Sequence, residues 1–102
     1  MKQVPRECGA GWNSLIDPLI KLCEERGITI LQIKEKFGGL RFYVSAVPSQ
    51  RVGAPADILE AIEKAEDASV TICEMCGEPG KVRGGAWIKT LCDRCALERG
   101  KL

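Results

Sequence analysis

Two cysteine pairs carry the most definite chemistry in this chain. Cys73-Glu-Met-Cys76 and Cys92-Asp-Arg-Cys95 are separated by fifteen residues. Thiolate sulfur suits zinc, and four such donors close a tetrahedral structural site. Two residues between the cysteines of a pair let both sulfurs turn onto one ion. The spacing falls at the edge of the pattern of four-cysteine zinc modules. The predicted cofactor is therefore a structural Zn²⁺ held by Cys73, Cys76, Cys92 and Cys95. The competing assignment is a pair of redox motifs. Those belong beside a strand–helix–strand pattern, and none is visible in the sequence. Cys23 lies on an apolar helix stripe and reads as a small buried hydrophobe. Cys8 reads as a free thiol outside the ligand set.

The chain contains no histidine. That excludes Ser–His and Cys–His nucleophiles and a histidine-ligated catalytic zinc. A site closed by four sulfurs also leaves no open coordination position. The expected role is binding rather than catalysis. A carboxylate reaction around Glu35 is the remaining formal alternative.

With 102 residues, a core is marginal and metal is a common supplement. Net charge is +1, so the whole-molecule balance argues neither for nor against a nucleic-acid partner. Its distribution is uneven. Residues 28–54 carry four basic side chains against Glu35, and residues 79–102 carry six against two acidic ones. Residues 55–78 carry seven acidic groups against Lys64. Such asymmetry orients a charged partner, unless the opposite patches lie against one another. No apolar run is long enough for a membrane span, and residues 1–11 lack a signal-peptide core. Unsecreted CxxC pairs predict a reduced, cytoplasmic setting.

Several elements must position these residues, and the predicted fold class is α+β. Residues 1–11 read as an irregular arm. Trp12, Leu15, Ile16, Leu19, Ile20 and Cys23 recur at helical spacing, with Gly27 as the stop. The helix is expected to begin near Asn13 or Ser14, leaving Pro18 close to its first turn; the alternative is a shorter helix capped by Asp17 with Pro18 at its first position. Two β-rich runs, from Ile28 and from Leu40, flank Gly38-Gly39, which predicts a hairpin with those glycines as its two-residue loop. Phe37 would then pair with Leu40 and Glu35 with Phe42. One hairpin face is apolar except for Glu35, and the other carries Lys34, Lys36, Arg41 and Tyr43. Glu35 on the apolar side is expected to be salt-bridged or at an edge. Residues 47–56 read as a loop. Asp57 to Ser69 reads as a second helix with Ile58, Leu59, Ile62 and Ala65 inward and an acidic outer side.

The last third reads as a metal module. Cys73 to Gly77 resembles a zinc knuckle. Lys81–Arg83 and Ala86–Leu91 are predicted strands turned at Gly84-Gly85. Cys92 opens a short helix. That order describes a treble clef, with a zinc ribbon as the alternative, and the helix-forming run after Cys92 favours the former. Trp87 is expected to pack over the metal site. Residues 1–72 form a helix–hairpin–helix core, with the module of residues 73–102 packed on it as one unit.

The chain resembles a family of small bacterial and bacteriophage proteins of uncharacterised activity. The resemblance rests on Gly11-Trp12 and on the run from Ile33 to Tyr43, Ile-Lys-Glu-Lys-Phe-Gly-Gly-Leu-Arg-Phe-Tyr. The Cys73-Glu-x-Cys-Gly pair and the closing Trp87…Thr90-Leu91-Cys92-x-x-Cys95 complete it. It implies one compact unit, a phage or prophage origin and a host factor as partner, and it carries over no catalytic residue.

The function expected is that of a zinc-stabilised module engaging a nucleic acid or a protein through basic surface. The candidate contacts are Lys34, Lys36, Arg41 and Tyr43 on the hairpin, and Arg83, Trp87, Lys89 and Arg94 on the module. The alternative is a phage-derived regulator that binds a host protein without touching nucleic acid.

Overall fold

The computed structural model describes residues 4–45, 55–85 and 87–100. Its elements in chain order are β1 (Arg6–Glu7), a 3-10 turn (Ala10–Trp12), α1 (Asn13–Arg26), β2 (Ile30–Lys36), β3 (Gly39–Val44), α2 (Ala56–Ser69), β4 (Lys81–Arg83), β5 (Lys89–Leu91) and α3 (Asp93–Glu98). The architecture is α+β, with one three-stranded and one two-stranded sheet among the described residues.

α1 begins at Asn13, and Pro18 lies inside it with its side chain on the exposed side. Gly27 ends it in the left-handed conformation at φ 68°. The Gly27 and Ile28 N–H groups return to the Glu24 and Cys23 carbonyls, the paired bonds of a Schellman ending. α2 buries Ile58, Ile62, Ala65 and Ser69, while Leu59 stays exposed. Both helices share one apolar cluster with Trp12 and with Ile33, Leu40 and Phe42 of the sheet.

The expected arm is not wholly irregular. Arg6 and Glu7 form β1, parallel to β2 beside Ile33 and Lys34. The chain reaches β2 through α1, so a minimal strand–helix–strand unit exists that two residues of sequence did not reveal. The cysteine pairs lie outside it. Side chains fix the short strand, with Arg6 donating to Asn13 and Asp17 and Gln32 donating to Glu7.

The hairpin forms, but its turn is one residue earlier than expected. Lys36 pairs with Gly39 and Glu35 with Leu40, so the loop is Phe37-Gly38. Both have positive φ, 53° and 82°, as a type I′ turn requires. From Gln32 to Lys36 each partner therefore shifts by two residues, which preserves the two faces. An irregularity between Ile30 and Gln32 turns Leu31 outward. The free edge of β3 is closed by α2: Leu40 N–H donates to Ser69 Oγ (2.9 Å) and Phe42 N–H to Glu66 Oε2 (3.0 Å). Such capping withdraws edge groups from pairing with another strand. The expected loop over 47–56 falls largely outside the described residues.

A second, smaller cluster holds Cys73, Leu91, Cys95 and Ala96. The two clusters divide between Ile72 and Cys73 and are joined in part by hydrogen bonds onto backbone carbonyls. Gly11 N–H donates to the Glu74 carbonyl (2.7 Å), and Trp12 Nε1–H to the Ile72 carbonyl (2.9 Å). A Cβ on Gly11 would lie 2.2 Å from the Cys73 carbonyl oxygen. Gly11→Ala is therefore expected to destabilise the protein by about 3 kcal/mol, the upper range for overpacking, because backbone must move. Gly84→Ala, with nothing within 4 Å, is expected to be neutral. Urea denaturation of the two variants checks the contrast.

Candidate metal centre

The four predicted ligands come together. The sulfurs of Cys73, Cys76, Cys92 and Cys95 all lie within 4.8 Å of one another, with Cys76 and Cys92 at 3.6 Å. A Zn–S bond of about 2.3 Å implies tetrahedral S–S edges of about 3.8 Å. The cluster therefore fits one ion, and no disulfide competes for the sulfurs.

Local sequence explains each half. Cys73 accepts the Gly77 N–H at its carbonyl (2.9 Å) and donates its own N–H to the Glu78 carbonyl (2.7 Å). Gly77 closes this knuckle at φ 84°, a conformation that favours glycine. β4 and β5 pair in the register Lys81–Leu91 to Arg83–Lys89. The strand expected over Ala86–Leu91 is described as β5 from Lys89 to Leu91. Ala86 itself is outside the described residues. Cys92 is the N-cap of α3, and its sulfur accepts the Cys95 N–H at 3.4 Å. A helix N-terminus favours negative sulfur there.

The thiols share their charge unevenly. Burial pushes Cys73 up, but the N–H groups of Cys92, Cys76 and Met75 outweigh it and bring the thiol down to about 6. Burial, then the sulfurs of Cys92, Cys73 and Cys76, pushes Cys95 up to about 12. One proton leaves readily and the last does not. A bound cation would allow all four sulfurs to be thiolates together. Burial also raises the Cys8 and Cys23 thiols, and neither sulfur belongs to the four-sulfur group.

Two of the basic residues expected around the module, Arg83 and Lys89, are engaged within the fold. Arg83 is buried, with Nε donating to the Leu91 carbonyl (3.1 Å) and Nη2 paired with Asp93 (2.6 Å). Its guanidinium lowers the Asp93 carboxyl. Arg94 is exposed, and the sulfurs of Cys76 and Cys95 raise its affinity for a proton. Lys89 is 13% exposed and bridges Glu35 Oε1 (3.0 Å) to Glu74 Oε1 (3.5 Å). Glu35 is thus salt-bridged, and its other oxygen accepts the Gly38 N–H (2.8 Å). Glu74 Oε2 accepts the Gly9 N–H (2.9 Å). Sequence reasoning missed Glu74, whose place inside the knuckle reads as an exposed spacer.

Trp87 does not pack over the sulfurs as expected. It is 65% exposed, with Lys89 Nζ 5.2 Å from its ring. The other four candidates, Lys34, Lys36, Arg41 and Tyr43, share the sheet face opposite the apolar cluster. Lys34 Nζ lies 5.8 Å from the Tyr43 ring. Phe37, at the turn and 67% exposed, was not anticipated there, and Lys36 Nζ lies 5.5 Å from its ring. Phenylalanine immediately before two glycines was the available signal.

Among the described residues, no helix is long and apolar enough to cross a membrane. No family model, curated protein or solved structure matches this chain.

Proposed function

We propose that the chain is a zinc-stabilised binding module that engages a polyanionic partner, a nucleic acid or an acidic protein surface, through the basic sheet face opposite its apolar cluster. Zinc is the ion best suited to four thiolates in a closed site. The knuckle, β-ribbon and helix N-terminus are the parts of a treble clef, and that class belongs to this reading. The observation that carries the binding role is the placement of Lys34, Lys36 and Arg41 together on the sheet face opposite the apolar cluster, while Arg83 and Lys89 are engaged internally. The metal then acts at a distance. It fixes β5, on which the hairpin turn rests through the bond from Thr90 Oγ1 to the Gly38 carbonyl.

Replacing Lys34, Lys36 and Arg41 together by alanine is expected to lower the salt concentration at which the protein leaves immobilised heparin, with little change in thermal stability. Each lost phosphate-like contact reduces the salt slope by about one. Unchanged elution would reject this face. A second reading, a regulator that binds a host protein without nucleic-acid contact, draws on the groove between β3 and α2, where Tyr43, Val44 and Leu59 meet Glu63 and Glu66. Capture from lysate that is insensitive to both nuclease and salt would favour it.

A further inference from the structure

The hairpin tip and the loop of the metal module meet. A Cβ on Gly38 would lie 3.3 Å from Ile88 Cγ2 and 3.3 Å from Thr90 Oγ1. Phe37 precedes Gly38 and Trp87 precedes Ile88, so two highly exposed aromatic residues are next in sequence to the residues in contact. Tyr43, 43% exposed, lies further along the same hairpin. Between Tyr43 and the tip lie the cross-strand pair Lys34–Arg41 and then Lys36. The span from Tyr43 to Gly39 is roughly 13 Å of strand at about 3.3 Å per residue. That is the length of a few nucleotides.

Phe37 is the most telling member of the set. Its φ of 53° is a conformation that asparagine and glycine adopt with little strain and that a bulky side chain rarely occupies. Its ring gains little burial in return. A strained, exposed aromatic at a turn is the kind of feature retained for contact rather than for folding.

Resting on the binding role proposed above, we infer that the partner is single-stranded nucleic acid, with bases stacked on Tyr43, Phe37 and Trp87 and phosphates held by Lys34, Arg41 and Lys36. Alternating cations and exposed rings suit a single strand, because every base offers a π-face and the charges follow the backbone. A duplex hides its bases and would use only the cations. An acidic peptide would use the cations and leave the rings without stacked partners.

The test uses the full chain and three probes: a short oligothymidylate, an abasic phosphodiester of equal length, and polyglutamate. Trp12 is fully buried, so a change in tryptophan emission on titration reports Trp87. The expected result is quenching by oligothymidylate and binding about tenfold tighter than to the abasic strand for each ring engaged. Phe37→Asn is expected to weaken oligothymidylate binding by a similar factor while leaving the melting temperature unchanged or raising it by a few degrees, roughly 4 °C. Tyr43→Leu should weaken binding without altering the turn. Equal affinity for the thymidylate and abasic strands without quenching would overturn the stacking inference and leave the anion-binding role intact. Polyglutamate binding as tightly as oligothymidylate would overturn it in favour of an acidic protein. Failure of all three probes to bind at low salt would overturn both proposals.

Discussion

Stripping the metal with a chelator is expected to unfold residues 73–100 while the cluster built by α1, β2, β3 and α2 keeps part of its order. The module's apolar core shows why. Its buried members are Cys73, Leu91, Cys95 and Ala96, with Cys76 and Cys92 packed against them. Setting aside the ligands leaves one leucine and one alanine. Burying those contributes about 3 kcal/mol at most, far below the conformational entropy of ordering such a segment, at about 1–2 kcal/mol per residue. Its secondary structure cannot compensate, because β4 and β5 have three residues each and α3 has six. Isolated elements of that size are unstable in water. A structural zinc would add binding energy of about 10–16 kcal/mol to the folded module. Hydrogen exchange before and after chelation should show protection lost first at the Gly77, Ala96 and Arg99 amides, which close the knuckle and α3. An apo protein with the same protection pattern would show that packing alone holds the module. Partial loosening should extend to Gly11 and Trp12, because their N–H groups depend on Glu74 and Ile72.

The second large effect is expected at Lys89→Ala, at about 3–5 kcal/mol. Lys89 stands between two carboxylates that are themselves nearly inaccessible, Glu35 at 12% and Glu74 at 3%. Removing the ammonium leaves two like charges facing one another in a desolvated junction. The cost comes from the uncompensated carboxylates rather than from the lost ion pair as such. Adding Glu35→Gln to Lys89→Ala should therefore restore part of the stability lost by Lys89→Ala. The two substitutions will be non-additive, because both sit in one network. Urea midpoints of the two single variants and the double variant measure this. Simple additivity would mean that Glu35 and Lys89 act independently.

These expectations bear on how much of the molecule can be read from residues alone. The cysteine pairs were legible because metal chelation imposes short, local spacing, and the structure brings those sulfurs to one point. Both long helices were legible because their apolar stripes and the Gly27 stop are local as well. The hairpin was legible as an element but not in register. Gly38-Gly39 is an ideal loop in isolation, whereas the turn is shifted onto Phe37 and Gly38, where the Gly38 carbonyl meets Thr90 fifty-two residues away. β1 was illegible because two residues carry no periodicity. The candidate cations failed for a related reason. A charge in sequence reads as surface, and the counterions that draw Arg83 and Lys89 inward belong to other segments or other turns. What sequence cannot supply in each case is the partner across the junction.

On the proposed reading, one metal ion held by four sulfurs builds the platform that presents the basic sheet face. Metal analysis of protein purified under reducing conditions tests it most directly, paired with cobalt substitution to read the coordination. The account predicts about one zinc per chain. It also predicts a cobalt spectrum with intense tetrahedral and sulfur-to-metal bands that are lost on Cys→Ser replacement at any of positions 73, 76, 92 or 95. A folded protein with less than about half an equivalent of metal, or a cobalt spectrum without sulfur bands, would contradict it.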